Sequence, residues 1–108
     1  KDNNLFALTG SPGGTSIINY VTKSVLGLID WNLDPAQIAE LPHYMNKGLY
    51  TELEKNTSLE DLKIELELLG HPIKVQSKRS GLHIALKKYD GFIGGADPRR
   101  EGLVIPIN

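Results

Sequence analysis

The sequence predicts an α+β chain with helices and sheet in separate layers, and three observations carry that prediction. A short apolar run, Leu5-Phe6-Ala7-Leu8, stops at a glycine-rich turn. Apolar residues then recur at helical spacing, and beyond Pro72 the apolar period changes to two. Strand, helix, helix, an unassigned stretch, helix and then strands is an order in which the two kinds of element segregate.

The run at residues 5–8, bounded by Thr9-Gly10-Ser11-Pro12-Gly13-Gly14, reads as a buried strand entering a tight turn. The turn opens a helix. Ile17, Val21, Val25 and Leu28, flanked by Ile18 and Ile29, make a wide apolar stripe with Gly27 inside it, and Asp30-Trp31-Asn32 closes it. Asp34, Pro35 and Gln37 supply in order an N-cap, a first-turn proline and a capping-box partner, so a short helix runs to Leu41 before Pro42. Residues 43–56 fit short strands or extended loop equally well. Thr57 and Ser58, with Glu60 and Asp61 three residues beyond each, offer overlapping capping boxes; Leu59, Leu62, Leu66 and Leu69 then line one face and Gly70 stops the helix. Ile73 and Val75, then Leu82, Ile84 and Leu86, alternate as half-buried strands. Tyr89-Asp90-Gly91 marks a hairpin, with Phe92 and Ile93 starting the returning strand toward Gly94-Gly95.

The 108 residues, 40% hydrophobic, allow at most one ordinary domain and exclude a multidomain enzyme. With 12 basic and 13 acidic side chains the net charge is -1, which gives no broad field to gather nucleic acid or an anionic membrane. There is no cysteine, so no disulfide or thiolate site. No apolar run approaches the roughly 20 residues of a spanning helix, and no signal peptide is visible. Lys1, not methionine, begins the chain, which leads us to expect a piece of something larger.

One constellation carries chemistry: Gly10-Ser11-Pro12-Gly13-Gly14 between a strand and a helix N-terminus. Adjacent glycines have no Cβ atoms to block approach, so consecutive N–H groups can converge on one oxygen. First-turn N–H groups lack intrahelical partners and carry the positive end of the helix dipole. Such a turn suits a bound anion, an oxyanion that develops in a transition state, or nothing more than a tight connection. It is neither a Walker loop nor Gly-x-Gly-x-x-Gly.

Gly10-Ser11-Pro12-Gly13-Gly14-Thr15-Ser16-Ile17-Ile18, Leu41-Pro42-His43, Gly70-His71-Pro72, Ser80-Gly81-Leu82-His83 and Gly95-Ala96-Asp97-Pro98-Arg99-Arg100-Glu101-Gly102 together resemble the C-terminal part of the γ-glutamyltranspeptidase small subunit. The resemblance spans residues 1–102 and is specific in the combination of the glycine turn with the Asp-Pro-Arg-Arg-Glu-Gly end. It implies part of an N-terminal-nucleophile hydrolase, an αββα sandwich, which self-cleaves from a precursor and transfers γ-glutamyl groups of glutathione and related compounds to water or to amino-acid and peptide acceptors. It implies a periplasmic or extracellular parent, with the large subunit and the rest of the small subunit as partners and with no cofactor. By position, the backbone N–H groups of Gly13 and Gly14 take the oxyanion-hole role, with Ser11 beside them as a substrate contact.

The family's threonine nucleophile and its serine pair have no counterpart in this chain. Thr9, Thr15, Thr22, Thr51 and Thr57 lie in mid-chain, without the free α-amino group that would activate a hydroxyl, so the chain alone is expected to be inactive. Lys1 then marks a cut between the serines and the turn. Residues 103–108 are an apolar tail outside the family pattern. Two other readings stand beside the enzyme fragment: an anion-binding module using the same turn, and a structural or interaction module.

The remaining candidates favour structural roles. His43, His71 and His83 are 28 and 12 residues apart, which does not suit a metal site, and His71 is placed to complete a helix C-terminus. Asp97 and an adjacent arginine suit charge-assisted fastening of the chain end better than recognition of a substrate carboxylate. Lys74, Lys78, Arg79, Lys87 and Lys88 read as a solvated basic face rather than a nucleic-acid surface. Trp31 and Tyr20 read as packing residues near the first helix.

Overall fold

A computed structural model describes residues 2–106, with Lys1 and residues 107–108, the end of the expected tail, outside the described residues. The chain forms two compact units. One joins the residues up to Leu41 to those from Arg79 onward, and the other is Pro42–Lys78.

The first unit is built on an antiparallel sheet in the order β1 (Ala7–Gly10), β5 (His83–Lys88), β6 (Gly91–Ala96). Ala7 pairs with Leu86 and Gly10 with His83, while Lys88 faces Gly91 across the hairpin. The expected hairpin forms with Tyr89 at a left-handed φ of 55°. β1 is two residues later than its apolar run and is half-buried, not buried: it lies at the sheet edge with β5 as its neighbour, and Leu5 and Leu8 are exposed.

Helix α1 (Ile17–Ile29) follows a single 3-10 turn at Gly14–Ser16. Its buried side is Tyr20, Lys23, Ser24, Gly27 and Leu28, so the predicted stripe is rotated and Ile18, Val25 and Ile29 are exposed. Small residues decide that choice. A Cβ on Gly27 would stand 2.8 Å from Ile38 Cγ1, so the bare backbone lets α2 (Pro35–Glu40) cross closely. Asn32 at φ 51° and the N–H of Leu33 on the Gly27 carbonyl (3.0 Å) end α1 as the sequence suggests. The predicted capping box of α2 is complete, Gln37 N–H to Asp34 Oδ1 at 2.9 Å and Asp34 N–H to Gln37 Oε1 at 3.1 Å. On its other side α2 rests on Gly95 of β6, where any Cβ would fall onto the Pro35 carbonyl. Leu28, Ile38 and Ile84 form the centre of this core, with Phe6, Ala7, Leu33 and Leu86 against them.

In the second unit the stretch left open by the sequence resolves as β2 (Tyr44–Asn46) and β3 (Thr51–Glu54), antiparallel to each other. β4 (Ile73–Gln76) pairs parallel to β3, Thr51 opposite Ile73. The strands after Pro72 are thus divided between two sheets. A 3-10 segment, Ser58–Leu62, and α3 (Lys63–Leu68) make the crossover. Thr57 caps it through the Leu59 N–H, but Glu60 turns to the Asn56 N–H (2.9 Å), so the capping box is not reciprocal. Gly70 at φ 94° and His71 N–H on the Leu66 carbonyl (3.0 Å) close α3. Leu59, Leu62 and Leu66 line an apolar cleft with Tyr44 and Leu53, whereas Leu69 is exposed.

Among the described residues no helix is long and apolar enough to cross a membrane.

Candidate functional site

The glycine turn sits where the sequence places it, leaving β1 at Gly10 and entering the 3-10 turn that precedes α1. Gly13 adopts φ 141° and Gly14 φ 58°, two successive left-handed conformations that side chains disfavour. Beneath Gly13 lies the buried Tyr20 ring: a Cβ at Gly13 would be 2.6 Å from Tyr20 Cε2. Gly14 has open space above it. The Gly13 carbonyl accepts from Ser16 N–H (3.1 Å), and among the described residues no acceptor takes the N–H of Gly13 or Gly14. A turn with consecutive free N–H donors at a helix start is chemically suited to an anionic oxygen.

Ser11 is engaged within the protein. Its hydroxyl donates to the Pro12 carbonyl (2.7 Å) and accepts from Gly81 N–H (2.9 Å).

Asp97, at the end of β6, is fully buried and gathers the loop that precedes β5. Ser80 Oγ donates to Asp97 Oδ2 in a short hydrogen bond, and Leu82 N–H donates to the same oxygen (3.1 Å). Oδ1 receives Arg99 N–H (3.0 Å) and the Arg99 guanidinium (2.9 Å). Burial by itself would raise the Asp97 pKa, but the hydrogen bonds from Ser80, the Arg99 and Leu82 N–H groups and the Arg99 side chain together hold it below the usual carboxylate value. Arg99 also donates to the Ala39 and Leu41 carbonyls, both at 2.8 Å, capping the C-terminal end of α2. The fastening role expected of this motif is what the geometry displays.

The histidines stand apart: His43 is buried, His71 ends α3, and His83 sets Nδ1 3.0 Å from the Gly81 carbonyl. Among the described residues no cluster of histidine and carboxylate suits a metal ion. The expected basic face is incomplete, since Lys78 is buried with its ammonium 2.7 Å from buried Glu52. Sequence reasoning missed that pair because two opposite charges 26 residues apart carry no local pattern. It also missed buried Lys23, whose ammonium donates to the Leu41 carbonyl (2.8 Å). Tyr20 is a packing residue as expected, while Trp31 is half-exposed.

Comparison with known proteins places these features in a family. The Gamma-glutamyltranspeptidase family model matches residues 1–107. The chain is 34% identical over 102 residues to the glutathione hydrolase proenzyme of Escherichia coli (strain K12), covering 92% of this chain and 17% of that protein. It is 27% identical over 114 residues to the glutathione hydrolase proenzyme of Bacillus subtilis (strain 168), covering 100% of this chain and 19% of the relative. Among solved structures, an acivicin-inhibited gamma-glutamyltranspeptidase superposes with a TM-score of 0.80 at 29% identity, over 94% of this chain and 57% of that one. A mutant gamma-glutamyltranspeptidase of Helicobacter pylori does so with a TM-score of 0.80 at 28% identity, over 93% and 57%. The chain thus spans less than a fifth of the curated relatives it matches, and its α+β arrangement is a portion of the N-terminal-nucleophile hydrolase fold. On the family match and the 34% identity together, the chain belongs to the gamma-glutamyltranspeptidase family.

Proposed function

We propose that this chain supplies the oxyanion turn of a γ-glutamyl hydrolase and transferase. The carrying observation is the pair of left-handed glycines, Gly13 and Gly14, whose N–H groups lack acceptors among the described residues. In this reading a threonine outside these residues attacks the γ-glutamyl carbonyl of glutathione or a related compound, and the two N–H groups receive the negative charge of the tetrahedral intermediate. An acyl-enzyme then passes the glutamyl group to water or to an amino-acid or peptide acceptor. Ser11 lies at the edge of the turn, and direct contact of its proton with substrate would require release of the Pro12 carbonyl. Residues 1–102 act as part of the small-subunit domain, with residues 103–108 as an appended tail. The partners are the rest of the small subunit and the large subunit of the same precursor, in a periplasmic or extracellular enzyme. No cofactor enters this scheme.

Gly14 tests the reading. In the complete processed enzyme, Gly14→Val should lower kcat on a γ-glutamyl anilide by roughly 10²–10³-fold, the loss typical of one oxyanion donor, with a much smaller change in KM. An unaltered kcat in a folded variant would leave the turn a mere connection.

A second reading, a non-catalytic interaction module, is favoured by the exposure of Ile18 (75%), Leu49 (84%) and Leu68 (82%). It requires concentration-dependent association together with indifference of turnover to Gly14. An anion-binding module would instead show amide shifts at residues 10–16 on titration with phosphate, sulfate or glutamate.

A further inference from the structure

We propose that the loop at residues 79–82, clamped by the chain-end motif, aims the oxyanion turn through Ser11, which makes Ser11 a positioning residue; this rests on the reading of Gly13 and Gly14 as oxyanion donors. The loop is held by five hydrogen bonds. Ser80 Oγ and Leu82 N–H converge on Asp97, and the Leu82 carbonyl receives Asp97 N–H at 2.8 Å. Arg100 Nε donates to the Arg79 carbonyl (2.8 Å), and His83, in the tautomer with its proton on Nδ1, donates to the Gly81 carbonyl. With those groups engaged, the Gly81 N–H is delivered to Ser11 Oγ at 2.9 Å. Close approach is possible because position 81 is glycine: a Cβ there would stand 3.0 Å from Pro12 Cγ and Cδ and 3.1 Å from Arg100 Cδ.

Accepting from Gly81 leaves the Ser11 proton for the Pro12 carbonyl, which it meets at 2.7 Å. The Pro12–Gly13 peptide is trans. In a planar trans peptide the C=O and the following N–H point in opposite directions, so fixing the Pro12 oxygen fixes the direction of the Gly13 N–H. The relay runs from Asp97 to the Ser80-Gly81 segment, to Ser11, to the Pro12–Gly13 peptide. It needs at position 11 a group that accepts from N–H and donates to C=O at once. Hydroxyls do both; alanine does neither.

The test uses the complete processed enzyme, labelled with ¹⁵N at glycine, carrying Ser11→Ala or Ser11→Thr. For Ser11→Ala we expect kcat to fall roughly tenfold to a hundredfold, the scale of a misplaced catalytic group, with KM within about twofold. The Gly81 amide should exchange with solvent at least about tenfold faster, as befits loss of its acceptor, and the Gly13 resonance should shift. Ser11→Thr should restore all three. A raised KM with kcat preserved would overturn the proposal by making Ser11 a direct substrate contact. Faster Gly81 exchange with an unmoved Gly13 resonance would overturn it by ending the relay at Ser11. If Ser11→Ala does not fold, Ser11→Cys, a weak donor of similar size, is read in the same way. Failure of the oxyanion reading is seen separately, as indifference of kcat to Gly14→Val, while the Gly13 resonance still reports whether the relay operates.

Discussion

The buried Asp97 carboxylate accepts four hydrogen bonds, from Ser80 Oγ, Leu82 N–H, Arg99 N–H and the Arg99 guanidinium. Its folded pKa lies below the ordinary value of about 3.9, so it adds stability above that pH and the contribution drains away as pH falls through the folded value. Urea midpoints measured between pH 2 and 7 should therefore drop steeply on the acid side. Asp97→Asn should flatten that limb and cost about 3 kcal/mol at neutral pH, because Arg99 then keeps its site without a counter-charge; an acid limb unchanged in the variant would assign the pH dependence to other carboxylates. The fastening role of this residue was legible in the local motif, a carboxylate two positions from an arginine at the end of a strand. Its acceptance of Ser80 Oγ and Leu82 N–H was not, since hydrogen bonds across 17 and 15 residues leave no trace in local spacing. At the turn, the residue types placed two glycines between a strand and a helix start, where the structure has them. The positive φ angles and the anchoring of Ser11 by Gly81, 70 residues away, required the fold.

At the level of elements, α2 is squeezed between two glycines, and they should respond unequally to a methyl group. Gly95→Ala drives a Cβ into the Pro35 backbone, which has no rotamer to relieve it, so about 3 kcal/mol or more should be lost. Gly27→Ala brings a Cβ to 2.8 Å from Cγ1 of the fully buried Ile38, a side-chain rather than a backbone clash, and alanine recovers about 1 kcal/mol of helix propensity that offsets part of the overpacking. A smaller loss, about 1 kcal/mol, is expected there, and denaturant midpoints at constant m-value separate the two; equal losses would contradict the close crossing. Where caps and periodicity are local, as in the Asp34 to Gln37 box, the sequence sufficed. It failed at β2 and β3 because their buried positions include Glu52 and Glu54, which break the apolar alternation that marks a strand. Those carboxylates are tolerated through partners: Lys78 for Glu52, and His43 N–H for Glu54 at 2.9 Å.

For the whole molecule, length governs what can be asked of it. With under a fifth of its curated relatives' length and without a threonine at an N-terminus, the 108-residue chain should release no p-nitroaniline from a γ-glutamyl anilide above a no-protein blank. Detectable release would demand a nucleophile among the internal residues. The α+β class was readable from the change of period, whereas the division into two sheets was not. That division depends on β4 choosing β3 as a parallel neighbour, a choice made across the whole of the intervening helix.

The first unit's interruption by Pro42–Lys78 also sets an order of events during synthesis. When β1 and α1 leave the ribosome, the strand that β1 must join, at residues 83–88, has not been translated. At about 5–20 residues per second, β1 waits several seconds for β5, while the contiguous second unit holds all of its own strands and closes first. Pairing of β1 with β5 should thus follow closure of residues 42–78 during translation, and it should begin as β5 emerges.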